Sequence, residues 1–259
     1  MNAFEAEQAI KRRLLPVAKD EAGLEAHFLL QHVGVDGAFC RVSEQTLTEI
    51  EPLLLRRLAG EPLPYVLGEW TFFGLPMLVN RSVLIPRPDT ECLVEAALPI
   101  ANGKRVLDLC CGSGCIGIAL AKFAGAVVTA SDVSAEALTV AKSNAARNDV
   151  SMRFVESDLF DNISESFDLI VSNPPYLTEK EMASRDAALL AEPQGALDGG
   201  ADGLFFYRRI AADYRRVLAS GGTMLLEIGC TQANDVQSLF QNAACLSDYG
   251  NRPRVVVVT

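Results

Sequence analysis

The chain of 259 residues predicts a doubly wound, Rossmann-like α/β domain preceded by a small helical one. Three stretches carry that expectation. Arg105-Val106-Leu107-Asp108-Leu109 reads as a short buried strand, running into Cys110-Cys111-Gly112-Ser113-Gly114 and then an apolar helix from Cys115 to Lys122. Strand, glycine turn and helix in that order turn backbone N–H groups and a helix N-terminus toward a ligand. Val127 to Ser131 reads as the next strand and is closed by Asp132, twenty residues after Gly112. Phe167 to Ser172 is a further strand, ending in Asn173-Pro174-Pro175-Tyr176, where two prolines forbid more ladder pairing. Ligands of open α/β sheets bind outside such strand ends.

The Asn-Pro-Pro-Tyr stretch combines an amide, two rigid prolines and an aromatic ring. The Asn173 carboxamide and the Pro174 carbonyl can both accept hydrogen bonds from a planar NH2 group, and the Tyr176 ring can hold that group on one face. An ordinary turn is the plain alternative, since Asn-Pro and Pro-Pro are common turn dipeptides.

Composition narrows the class. The chain is 49% hydrophobic and 22% charged, which suits a soluble protein with one large domain and a small one. No apolar run approaches the roughly 20 residues of a membrane span, and the acidic start of the chain does not read as a signal peptide. A formal net charge of -10 would repel a phosphate backbone, so protein or small-molecule substrates fit better than nucleic acid. Seven cysteines without a C-x-x-C pair imply free thiols in a reducing cytoplasm. Cys110, Cys111 and Cys115 cluster, but they sit in a tight turn and read as small packing residues; no metal is expected.

Taken in order, residues 5–19 and 21–33 have apolar positions at helical spacing, broken by Pro16 and Gly34. A third helix starts after Ser43 as N-cap and ends near Gly60. Residues 1–62 thus predict a helical bundle with no evident chemistry, suited to recognising a partner. Pro62 and Pro64 mark a linker over 63–89, within which Trp70 to Val79 reads as a β-hairpin. Leu84-Ile85-Pro86-Arg87-Pro88-Asp89-Thr90-Glu91 then presents polar groups before a helix that opens near Thr90. It reads either as a capped linker or as a ligand-contacting segment.

Residues 90–259 form the expected nucleoside-binding half. Asp132 sits where a carboxylate can accept hydrogen bonds from both ribose hydroxyls. Met152 to Glu156 is a third strand leading to Asp158 and Leu159, a carboxylate and an apolar side chain suited to the amino group and face of an adenine. Gly112-Ser113-Gly114-Cys115-Ile116-Gly117 also satisfies G-x-G-x-x-G, so a nicotinamide-dependent dehydrogenase is a rival. Against it, the chain has no separate substrate domain after the strands.

With these residues in place, the chain resembles the release factor glutamine methyltransferases, S-adenosylmethionine-dependent enzymes of the amino-group type. The resemblance spans nearly the whole chain: Leu84 to Glu91, Gly112-Ser113-Gly114, Asp132, Asn173 to Tyr176, Glu192-Pro193, Gly199-Gly200-Ala201-Asp202-Gly203-Leu204, Leu226-Glu227-Ile228-Gly229 and Arg254-Val255-Val256. It implies a class I methyltransferase domain with a seven-stranded mixed sheet. It implies S-adenosylmethionine held by Cys110, Cys111, Gly112, Ser113, Gly114, Asp132, Asp158, Leu159 and Asn173. Substrate would meet Asn173, Pro174, Pro175 and Tyr176, with Asn173, Pro174 and Tyr176 carrying catalysis. The implied partner is a peptide chain release factor, met by a cytoplasmic monomer. Two positions depart from the family: Cys110 stands where glycine is usual, and Ala191 where tyrosine is usual. A nucleic-acid amino-methyltransferase shares the Asn-Pro-Pro-Tyr motif and is the second rival; a non-catalytic cofactor-binding partner of translation is the third.

After the motif, Leu177 to Asp202 is a long polar connection of the kind that forms lids or substrate walls. Arg208, Arg209, Arg215 and Arg216 give the helix from Leu204 a basic stripe, read as a solvated face. Thr223 to Ile228 is a fifth strand, 233–243 a helix and Arg254 to Thr259 a last strand.

Overall fold

The computed structural model describes residues 1–37, 40–185 and 187–259. The chain separates into two compact units, Met1–Glu69 with the segment ending at Ala191, and Trp70–Arg185 with Glu192–Thr259.

The first unit is helical. Asn2 caps α1 (Ala3–Ala18) with its side chain on the Glu5 N–H, while Glu5 answers onto the Asn2 N–H, a reciprocal box that satisfies two otherwise orphaned donors. α2 (Ala22–His32) and α3 (Glu44–Leu58), the latter capped by Ser43, pack with α1 through Ala6, Ile10, Leu14, Ala26, Leu29, Ile50 and Leu54. Glu25 and Arg57 join α2 to α3 by paired hydrogen bonds of 2.8 and 3.0 Å. Pro16 does not end α1, which runs two residues further. A proline this near the C-terminus removes a single ladder donor, and burial of Leu14 and Ala18 on either side holds the turn. A fourth helix, α4 (Leu63–Leu67), lies in the stretch expected as linker. Pro62 and Pro64 fall at its cap and first turn, where prolines are tolerated, and Leu63, Tyr65 and Val66 are buried.

The second unit opens with the expected hairpin, β1 (Glu69–Phe72) and β2 (Leu75–Leu78). Then come α5 (Pro88–Ala101), β3 (Arg105–Leu109), α6 (Cys115–Ala124), β4 (Val127–Asp132), α7 (Ala135–Arg147), β5 (Arg153–Glu156) and β6 (Phe167–Ser172). Short helices α8 (Glu179–Ala183) and α9 (Ala187–Leu190) follow, the latter grouped with the first unit. α10 (Phe205–Asp213), β7 (Leu218–Glu227), α11 (Ala233–Ser238), β8 (Ala243–Ser247) and β9 (Pro253–Val258) complete the chain. Seven strands form one mixed sheet in the order β5-β4-β3-β6-β7-β9-β8, parallel from β5 to β7 and antiparallel at β9 and β8. One face carries Leu93, Val94, Ile118, Val128, Leu169 and Leu225; the other carries Leu107, Ile170, Tyr207, Met224 and Val256. Strand order reverses between β3 and β6, the switch point at which such sheets bind ligands.

Two expectations change here. The helix placed over 233–243 stops at Ser238, and residues from Ala243 form β8 instead. β8 is an edge strand whose Ala, Cys and Ser residues give it no clear alternation, so only its pairing with β9 defines it. β7 starts at Leu218, five residues before Thr223, because Leu218 continues the ladder to Phe167 of β6 past a register shift between Phe167 and Leu169. The basic stripe is mostly exposed, as expected, and its arginines are paired. Arg208 pairs with Asp202, Arg209 with Asp158 and Arg216 with Asp213, while Arg215 donates to Gln241. Among the described residues, no helix is long and apolar enough to cross a membrane.

Candidate active site

The C-terminal ends of β3, β4, β5 and β6 open onto one cleft. Its lining includes Cys110, Cys111, Gly112, Ser113, Asp132, Asp158, Leu159, Asn173 and Pro175, joined by Leu84, Pro86, Arg87 and Thr90 from the proline-rich segment. Residues separated by some ninety positions meet because parallel strands put all their C-terminal loops on one edge.

The glycine turn forms one wall. Gly112 has φ 52°, and a Cβ there would meet open space. Gly114, expected to touch the cofactor, is not among the cleft's lining residues. It has φ 78° and is the N-cap of α6, with a Cβ position 3.1 Å from Ala141 on α7, so it serves packing. Gly117 does the same: a Cβ there would lie 2.8 Å from Asp108 Oδ2 and 3.0 Å from Val128 Cγ1. The last glycine of the G-x-G-x-x-G spacing thus brings α6 close to β3, and Asp108 Oδ2 accepts the Gly117 N–H at 2.9 Å. Cys110 holds φ 58° in the left-handed region, which explains why glycine suits that position.

Asp132 closes β4 beside the turn. Its Oδ2 accepts the Gly112 N–H at 2.8 Å and its Oδ1 accepts the Ser134 N–H at 3.0 Å. Burial raises its pKa, and these backbone donors oppose the rise. Each oxygen keeps a further acceptor position, so the carboxylate can still take two hydroxyl donors. Asp158 lines the cleft and also has a protein partner. Both of its oxygens pair with Arg209, at 2.9 and 3.0 Å, and its side chain is 48% exposed. Leu159 beside it is buried with φ 49° and contributes an apolar surface to the cleft.

Asn173 is partly buried at the end of β6. Its Nδ2 donates to Thr90 Oγ1 at 3.2 Å, which leaves Oδ1 as the acceptor available to a ligand. Pro174 and Tyr176 are not lining residues of the cleft. The Tyr176 carbonyl accepts Gln232 Nε2 at 3.0 Å, and burial pushes the phenol up to about 12. The Gly-Gly-x-Asp-Gly stretch lies against the Tyr176 main chain: a Cβ on Gly199 would come within 2.7 Å of Tyr176 Cα, and one on Gly203 within 2.4 Å of its carbonyl oxygen. Glu192 of the Glu-Pro pair accepts the Ile85 N–H at 3.1 Å and pairs with Arg87, tying 84–88 to the segment that supplies Pro193, Gly195 and Ala196 to the cleft.

Sequence reasoning missed three residues near this site. Glu227 is buried to 1% exposure at the end of β7, facing Thr90 and Asn173. Gln232 holds Tyr176 and Gly203 through their carbonyls. Arg254, itself buried, pairs with Asp89 at 2.8 Å and Asp248 at 3.3 Å. The Leu-Glu-Ile-Gly and Arg-Val-Val segments contained two of these, but no local spacing says what they face.

The cleft fits a nucleoside cofactor on its own geometry. It offers an open glycine turn, a carboxylate with two spare acceptor positions and the apolar surface of Leu159 and Ile116. Sheet order and cleft together define a Rossmann-like class I methyltransferase domain, and the methyltransferase small domain matches residues 88–219. A methyltransferase from Pyrococcus furiosus superposes with TM-score 0.56 at 17% identity, covering 81% of this chain and 97% of that one. The T. thermophilus 16S rRNA N2 G1207 methyltransferase gives TM-score 0.53 at 19% identity, covering 73% and 49%. Much closer in sequence is the release factor glutamine methyltransferase of Agrobacterium fabrum, 42% identical over 231 residues, or 83% of this chain and 80% of that protein. Its counterpart in Haemophilus influenzae is 37% identical over 238 residues, 83% and 82% of the two chains. The chain belongs to the release factor glutamine methyltransferase family.

Proposed function

We propose that this protein transfers the methyl group of S-adenosylmethionine to the side-chain amide nitrogen of a glutamine in peptide chain release factors, the glutamine of their Gly-Gly-Gln motif. It would act as a cytoplasmic monomer. Family membership supports the reaction class. The observation that carries the reading is Asn173, at a strand end beside the glycine turn, with its Nδ2 on Thr90 and its Oδ1 left to accept.

S-adenosylmethionine supplies an electrophilic methyl on a sulfonium. Asp132 would take its ribose hydroxyls on the two spare acceptor positions. Leu159 would lie against its adenine, and Asp158, held by Arg209, keeps acceptor capacity for the adenine amino group. Cys110, Cys111, Gly112 and Ser113 would bound its methionine end, with Gly114 fixing the turn.

A carboxamide nitrogen is a poor nucleophile because its lone pair is delocalised into the carbonyl. Asn173 Oδ1 and the Pro174 carbonyl would accept the two N–H bonds of the substrate NH2 group and aim the nitrogen at the methyl. Pro175 and Tyr176 would stiffen this arrangement, and Gly199, Gly203 and Gln232 support Tyr176 from behind. Positioning of reacting atoms and fixed dipoles then carry the acceleration. No strong base is required, because the nitrogen becomes acidic only as the new C–N bond forms and can lose its proton to water.

Incubating the protein with a release factor and labelled S-adenosylmethionine, followed by peptide mass spectrometry, tests this directly. One methyl on the glutamine side chain is expected; label in RNA or DNA alone would contradict it. Residues 1–62 are assigned recognition of the release factor. Deleting them should sharply reduce kcat/KM on whole release factor with cofactor affinity retained, and equal kcat/KM would remove that assignment.

A further inference from the structure

Beside the cleft lies a buried carboxyl, Glu227, that the transfer chemistry above does not use. Glu227 ends β7 with 1% exposure, and its Oε2 has no hydrogen-bond partner among the described residues. The Thr90 hydroxyl and the Asn173 carboxamide both face its carboxyl. Thr90, in the first turn of α5, is itself 3% exposed. A buried carboxyl with an oxygen left unpartnered is costly to keep.

Hydrogen-bond capacity explains what it does. An ionised carboxylate only accepts, so the Thr90 hydroxyl and the Asn173 amide that face Glu227 can meet it only with their protons. The oxygen of Thr90 is then an acceptor, and it takes the Asn173 Nδ2–H at 3.2 Å. That fixes the Asn173 amide with nitrogen inward and oxygen outward. Without an acceptor-only group at the root, Thr90 could donate to Asn173 Oδ1, and the amide would turn over and offer N–H groups to the substrate NH2.

We infer that Glu227 is a positioning residue for methyl transfer, acting through the relay Glu227–Thr90–Asn173 to hold the acceptor oxygen of Asn173 toward the substrate NH2 group. The inference rests on the reading of Asn173 given under Proposed function. Other charged or titratable groups surround the relay: Asp89 of α5 and Arg254 of β9 act on Glu227 directly, and Tyr176, Tyr207 and Cys115 feel its charge. Burial dominates and raises the Glu227 carboxyl to about 7, with Thr90, Arg254 and Asn173 opposing the rise and Asp89 adding to it. The ionised form that sets the relay therefore prevails above that pH and is lost below it.

The test is single-turnover methylation of a release factor from about pH 5.5 to about 9, with calorimetric cofactor titration of each variant. The wild-type rate should climb with pH through a midpoint near 7. Glu227→Gln can donate as well as accept, so it should lose that limb and run roughly ten- to a hundredfold slower at high pH, with cofactor affinity unchanged. Thr90→Val should show the same loss, and Thr90→Ser should restore most of the rate. A Glu227→Gln rate and pH limb matching wild type would overturn the relay, as would equal rates for Thr90→Val and Thr90→Ser. Parallel loss of thermal stability and cofactor binding in Glu227→Gln would also overturn it, marking a purely structural role. Asn173→Ala is the control that separates levels: if it keeps the wild-type rate, the reading of the site fails and the relay with it. If it is inactive while the other variants behave as wild type, only the relay fails.

Discussion

At the scale of residues, the site runs on acceptor positions. Asp132 uses one position of each oxygen on the turn and keeps one of each for a diol. Asp132→Ala should weaken S-adenosylmethionine binding at least tenfold, because hydrogen bonds to a charged acceptor contribute about 1.5–3 kcal/mol each. Calorimetry with unchanged affinity would take Asp132 out of the ribose role. Asp132 and Asn173 were legible in the sequence because each ends an apolar strand, where side chain and ligand must meet. Their partners were not legible. Asn173 and Thr90 lie 83 positions apart, and Asp158 and Arg209 lie 51 apart, separations at which no local pattern survives. The Asp158–Arg209 pair is an example: a carboxylate suited to an adenine amino group also holds a guanidinium.

At the scale of elements, glycines decide how closely segments approach. Gly203 has φ 74°, and a Cβ there would press on the Tyr176 carbonyl at 2.4 Å and on Gln232 Nε2 at 2.5 Å. Gly203→Ala should displace Tyr176 and lower kcat roughly tenfold or more, since small displacements of positioning groups cost rate steeply. Cofactor affinity should change little, because the glycine turn and Asp132 sit on other strands. Kinetics of Gly203→Ala at wild-type kcat would show that the Gly-Gly-x-Asp-Gly stretch does not support the motif. Another tether is built from amides: Asn144 on α7 pairs both ways with Leu78 of β2, at 2.6 and 3.0 Å, and Asn148 donates to Pro76. The hairpin itself was readable from its Gly74 turn and apolar flanks, whereas its attachment was not. Central strands were readable as apolar runs. β8 was not, because an edge strand half open to solvent needs no such run.

At the scale of the whole molecule, two buried carboxyls make stability depend on pH. Burial lifts both Asp108 and Glu227 to about 7. Such groups favour folding while neutral, so their contribution is full below the ordinary carboxylate range and is lost as pH rises through about 7. The net charge of -10 acts in the same direction through self-repulsion. Thermal unfolding should therefore show a Tm that declines from about pH 5.5 to about pH 8.5, and Asp108→Asn should flatten part of the decline. A Tm that rises across that range would contradict the account.

The central claim is that Asn173 positions the substrate nitrogen while other groups hold the cofactor. Single-turnover methylation of a release factor by Asn173→Ala, beside cofactor titration of the same variant, tests it most directly. The account predicts transfer slowed by about a hundred- to a thousandfold, the loss typical of removing one preorganised polar group from a closed site, with cofactor affinity within a few-fold of wild type. Methylation at the wild-type rate would contradict it.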